Sequence, residues 1–141
     1  MNQMKHAFTL RSQLEELARA LDRIEQLLLE EAAERELASE MRLIAEEGLA
    51  NIVRHAYGPD EDGEIEVMLA LSETEVRLEL RDQGRPFNPL EHPEPDLEAA
   101  VEERPVGGLG VHLIRSLTDT QTYTRQGTVN VLVLIKRRVV Q

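Results

Sequence analysis

The chain has no cysteine and no tryptophan. Without thiols there is no disulfide framework, no thiolate metal site, no iron–sulfur cluster and no cysteine nucleophile. Aromatic residues are scarce, at 3%, which argues against a stacking platform for single-stranded nucleic acid. Cations are also short: 16 Lys and Arg stand against 27 Asp and Glu, a formal charge of −11. That balance opposes binding to a phosphate backbone or an anionic membrane surface. No apolar run approaches the length of a membrane span. The N-terminal MNQMKHAFTL has no apolar stretch of the secretory kind, so a cytoplasmic location is expected. What is present, 41% apolar and 30% charged residues in 141 positions, suits one globular domain with a core of its own, taken as residues 1–141.

Proline is absent before Pro59, and five of the six prolines fall at 86, 89, 93, 95 and 105. The chain therefore divides into a regular front half, a proline-rich loop and a short regular tail. Residues 5–10 form a strand. Ser12 is placed to cap a helix carrying Leu14, Leu17, Leu21, Ile24 and Leu28 at helical spacing. A second helix spans about 36–56, with Leu37, Met41, Ile44, Leu49 and Ile52 as core positions, and Gly58-Pro59 stops it. Ile65, Val67, Leu69 and Leu71, then Val76, Leu78 and Leu80, alternate with polar residues, as in a hairpin with one buried face. Residues 83–106 hold six carboxylates and two arginines, a long irregular connection of the kind kept for function. A helix over roughly 110–118 and strands over about 120–126 and 128–137 close the chain.

Three features could carry chemistry. Glu47, Asn51 and His55 stand four residues apart; at about 100° per residue each step drifts by only ~40°, so they share a stripe of the second helix. The stripe reads either as a solvated polar face or as a carboxylate base beside an amide oxygen that can ligate Mg²⁺. Asp82 continues the parity of Val76, Leu78 and Leu80. It is either a turn cap before Gly84 or a buried acceptor for a ligand amine. Gly107-Gly108-Leu109-Gly110 is either a flexible hinge or a backbone cradle for an anion at a helix start. There is no P-loop, no zinc motif and no nucleophile elbow.

In order, these pieces resemble the ATP-binding (Bergerat-type) fold shared by histidine kinases and gyrase. AEEGLANIVRHAYG, LRDQGRPFNP and ERPVGGLGVHLIRSL are most similar to the small bacterial anti-sigma-factor serine kinases, over nearly the whole chain. The resemblance implies an α/β (α+β) two-layer sandwich, a mixed sheet with three helices on one face. It implies Mg-ATP as cofactor, with an ATP lid over about 83–110. Glu47 would be the general base, Asn51 the Mg²⁺ ligand and Asp82 the acceptor for the adenine amine, with Gly84 giving room for the base. Gly107, Gly108, Leu109 and Gly110 would serve the phosphates at the lid hinge, and Arg104 would reach toward them. Thr128 matches the adenine-side threonine, with Asn130 as the alternative if the register is offset. Arg85-Pro86 departs from the family's D-x-G-x-G pattern and would stiffen the lid entrance.

The implied activity is phosphorylation of a small STAS-type antagonist on serine, coupled to sequestration of a sigma factor or comparable target. Direct nucleic-acid or membrane contact is not implied, and a homodimer is. The competing reading is a nucleotide-gated binding module without catalysis. A two-component histidine kinase is opposed by the length and by the lack of a phosphoacceptor helix pair.

Overall fold

The computed structural model describes residues 4–31, 33–58, 60–91 and 108–138. Five strands form one sheet: β1 (Met4–Arg11), β2 (Glu64–Leu71), β3 (Glu75–Asp82), β4 (Thr120–Gln126) and β5 (Val129–Arg137). Their order across the sheet is β1-β2-β3-β5-β4. The helices are α1 (Leu14–Glu30), α2 (Arg35–Asn51), which runs on as a π-helical segment Ile52–Tyr57, and α3 (Gly108–Leu117). This is the two-layer sandwich expected.

The sheet was expected to be mixed. All four neighbouring pairs are antiparallel, and the connections say why. Two helices separate β1 from β2 and return the chain to the end where β1 finished, so Arg11 lies opposite Glu64. The single helix α3 instead carries the chain to the far end of the sheet, and β4 runs in the same direction as β3. Gly127, at φ 64°, turns the chain tightly from β4 into β5, and β5 inserts between them. The two parallel strands are thereby kept from pairing with each other.

Strand alternation delivers one apolar face. Ile65, Val67, Leu69, Val76, Leu78, Leu80, Leu132 and Leu134 are buried there under Leu21, Ile24, Leu28, Met41, Ile44 and Leu49 of α1 and α2. Ile114 of α3 is fully buried as well. Every core position expected on α2 is buried. On α1 the exception is Leu14, the first residue of the helix, which is 71% exposed. Ser12 does not cap it. Its hydroxyl donates to the Glu61 carbonyl (3.0 Å) and accepts from the Gly63 N–H (2.9 Å), tying the end of β1 to the approach to β2. On the face away from the helices, Glu79 is buried too, held between Arg77 (3.0 Å) and Arg81 (2.5 Å).

Candidate functional site

The end of α2 is where the fold departs from regularity. After Asn51 the helix widens into the π-helical segment, and the Gly58 N–H reaches back five residues to the Val53 carbonyl (3.1 Å). Gly58 then leaves the helix at φ 92°, a conformation that suits glycine. Such widened turns are frequent at functional sites. The change of helical step ends the polar stripe at Asn51. His55, expected on it, stacks instead on Phe87 with ring centroids 4.8 Å apart. Glu47 and Asn51 remain one α-helical turn apart on α2, Glu47 half-buried and Asn51 buried. The side-chain N–H₂ of Asn51 finds no acceptor among the described residues.

Facing this helix end, a cleft of about 10 Å³, room for about one water molecule, is bounded by Gly48, Asn51 and Ala56 of the helix, Asp82 of β3, and Tyr123 and Asn130 of β4 and β5. Phe87 and Pro89 wall it on one side, and its volume is far below the roughly 300–1,000 Å³ usual for ligand sites. Gly48 is needed beneath it, since a Cβ there would come within 2.7 Å of the Leu80 side chain.

Asp82 is buried, as its parity required. Burial pushes its carboxyl above the usual carboxylate range, opposed by hydrogen bonds from Asn130 and the Gly84 N–H and by the charge of Arg125. Both bonds, each 2.9 Å, fall on Oδ1. Oδ2 makes no hydrogen bond among the described residues. Gly84 has a nearer task than making room for a ligand: a Cβ there would stand 2.4 Å from the Ala56 carbonyl oxygen. The lid entrance runs so close to the helix end that the Arg85 N–H donates to that carbonyl (2.9 Å).

Thr128 does not reach the site. It lies exposed in the β4–β5 turn, because β5 begins one residue later than expected. The position opposite Asp82 belongs to Asn130. Gly108, Leu109 and Gly110 form the first turn of α3 rather than a loop before it, so their backbone N–H groups belong to the four donors a helix start leaves unpaired. Gly107 and Arg104 lie outside the described residues, as does most of the lid.

Sequence reasoning missed Tyr57 and Tyr123. The Tyr57 hydroxyl donates to the Glu64 carbonyl (2.6 Å) and accepts from the Gln83 N–H (2.8 Å), bracing the strand ends beside Asp82. Desolvation raises its pKa, against the bond from Gln83. Tyr123 donates to Asn130 Oδ1. Its placement opposite Leu132 follows from β4 parity, but nothing in the local sequence marks it as polar-facing.

Magnesium suits this donor set. Among the described residues no cluster of three or more His, Cys, Asp or Glu could hold a metal ion by itself. Mg²⁺ commonly takes only one or two protein oxygens and fills the rest of its octahedron with water and phosphate. The Asn51 side chain could supply such an oxygen, and its N–H₂, without an acceptor among the described residues, suits a phosphate oxygen.

A buried carboxylate at the end of β3 thus faces a buried amide one turn beyond a glutamate on α2, in a two-layer α/β sandwich. The histidine kinase-like ATPase domain model matches residues 10–136. The chain belongs to that family, and within it to the branch of anti-sigma-factor serine/threonine-protein kinases. It is 30% identical over 115 residues to the serine/threonine-protein kinase BtrW of Bordetella bronchiseptica, covering 82% of this chain and 81% of that one. It is 31% identical over 93 residues to the serine-protein kinase RsbW of Oceanobacillus iheyensis, covering 60% of this chain and 56% of that one. A crystal structure of the RsbU and RsbW domains from Mycobacterium tuberculosis superposes with a TM-score of 0.68 at 18% identity, over 95% of this chain and 32% of that chain. That likeness concerns the fold. No helix among the described residues is long and apolar enough to cross a membrane.

Proposed function

We propose that this serine/threonine-protein kinase binds Mg-ATP in the Asp82–Asn51 cleft and phosphorylates a serine of a small STAS-type antagonist. In the alternate nucleotide state it sequesters a sigma factor or comparable target. The observation that carries this reading is that buried Asp82 and Asn51 line one cleft, Asp82 with both of its hydrogen bonds on Oδ1 and Asn51 with a buried side-chain nitrogen that has no acceptor among the described residues. The Asp82 carboxylate would accept from a base amine, and Asn51 is an amide suited to phosphate and cation. Buried polar groups ordinarily find partners, and a nucleotide would complete both.

The chemistry asks for positioning and charge neutralisation. Magnesium, when bound, would neutralise the phosphate charge beside Asn51. Glu47, one turn earlier, would accept the serine hydroxyl proton as Oγ bonds to the γ-phosphorus and the bond to the bridging oxygen of ADP breaks. The unpaired N–H groups at the start of α3 would meet the phosphate oxygens. Selection between partners requires that antagonist and target differ in affinity for the ATP and ADP states.

Glu47→Gln tests the assignment, because it keeps shape and hydrogen bonding while removing the base. Phosphotransfer to purified antagonist should fall by at least a hundredfold, the usual scale of general-base catalysis, with ATP affinity unchanged. Undiminished transfer in that variant would remove Glu47 from the mechanism. The narrowness of the cleft favours a second reading, a nucleotide-gated binding module without turnover. ATP binding by the wild type with no labelled phosphate reaching the antagonist would select it.

A further inference from the structure

Among the described residues three large hydrophobic side chains are exposed: Leu14, Leu29 and Leu43, the last at 40%. An isolated exposed leucine needs no explanation, but the setting of Leu43 is particular. It stands on α2 one helical turn before half-buried Glu47, and residues four apart on a helix are surface neighbours. The Cα–Cβ bond of every helical residue tilts toward the N-terminus, so the surface within reach of Glu47 lies over the turn that carries Leu43. Beyond Asn51 the other direction is taken: Ile52, Val53, Ala56 and Tyr57 are buried, and His55 stacks on Phe87. The charges around Leu43 are sorted as well. Arg42 is held by Asp22 (2.7 Å) and Glu25 (3.2 Å) of α1, and Glu40 by Lys136 (2.7 Å) of β5. Exposed Glu46 and half-buried Glu47 make no ion pair among the described residues. The exposed cations Arg35 and Arg54 lie more than two turns from Leu43.

We infer that the turn of α2 carrying Leu43 and Glu46 is the docking surface for the protein substrate. A serine on a folded protein reaches Glu47 only if the surface around that serine lies against α2, and the approach left open runs over Leu43. The occupant is therefore a protein that sets an apolar side chain beside its acceptor serine, where it covers Leu43, and basic residues around it, where they meet the uncommitted carboxylate of Glu46. Leu43 selects the substrate by contact and takes no part in the chemistry. The inference rests on Glu47 being the base of a protein-serine kinase.

The experiment is steady-state phosphotransfer from saturating ATP to varied concentrations of the purified antagonist. It uses wild type, Leu43→Asp, Leu43→Met, Glu46→Lys and Leu29→Asp, each also titrated calorimetrically with ATP. Leu43→Asp should raise KM for the antagonist at least tenfold, the scale of a lost interface anchor. Its kcat, ATP affinity and melting temperature should stay near wild type, the pattern of lost uniform binding. Leu43→Met, which keeps an apolar side chain, should hold KM within a few-fold of wild type. Glu46→Lys should raise KM several-fold, and the rise should shrink as salt screens the new repulsion. Leu29→Asp makes the same change at an exposed site of α1 and should leave KM alone. An unchanged KM in Leu43→Asp overturns the inference and leaves the functional reading standing. So does a fall in kcat with KM unchanged, or an equal rise of KM in Leu29→Asp. An unchanged KM in Glu46→Lys overturns the basic character of the occupant. Failure of the wild type to transfer phosphate overturns the functional reading and the inference with it.

Discussion

Asp82 shows how one side chain carries both cost and function. Its pKa is raised above the reference 3.8, so between that value and its folded pKa the folded state binds more protons than the unfolded one. Stability contributed by this group therefore falls as pH rises through the window. Asp82→Asn can keep an acceptor on Asn130 and Gly84 while removing the charge. The variant is expected to melt higher than wild type at pH 7, with the difference shrinking on acidification to about pH 4 and below, and to bind ATP more weakly. A variant that melts lower at pH 7 would show that the ionised form is stabilised there. Strand parity alone placed this residue inside, and helical spacing alone put Glu47 and Asn51 together. Thr128 and Asn130 could not be separated that way, because a one-residue difference in where β5 begins decides which of them faces Asp82.

Among the elements, the end of the α2 helix and the segment after β3 approach each other closely at Gly84. Gly84→Ala should destabilise by about 1–3 kcal/mol or more, as overpacking against unyielding backbone does, read as a lower melting temperature. Tyr57→Phe removes one hydroxyl that serves both Glu64 and Gln83 and should cost about 1–2 kcal/mol. An unchanged melting temperature in either would place the tension elsewhere. The helices and strands were legible because their apolar periodicities are strong. The π-helical segment was not, since Ile52–Tyr57 continues an apolar pattern that an ordinary α-helix would also satisfy; only the five-residue reach of Gly58 to Val53 distinguishes them. Nor was the burial of Glu79 legible, because its alternation assigns it to the open face and its shielding depends on the two arginines either side of it.

For the whole molecule, the sheet direction was the feature the sequence could not settle, since pairing order, and not element type, decides it. Charge acts at the same scale. A formal −11 favours docking of a basic protein surface and disfavours nucleic acid. The association rate with the proposed target should therefore fall as ionic strength rises past the point where the screening length is about 10 Å, near 0.1 M, with dissociation changing less. A rate indifferent to salt would mean the acidic exterior plays no part in recognition. The central claim concerns the cleft, and calorimetric titration of wild type and Asp82→Asn with ATP, with and without Mg²⁺, tests it most directly. Saturable wild-type binding that strengthens with Mg²⁺ and collapses in the variant is the predicted result. Absence of ATP binding by the wild type, or equal binding by both proteins, would contradict it.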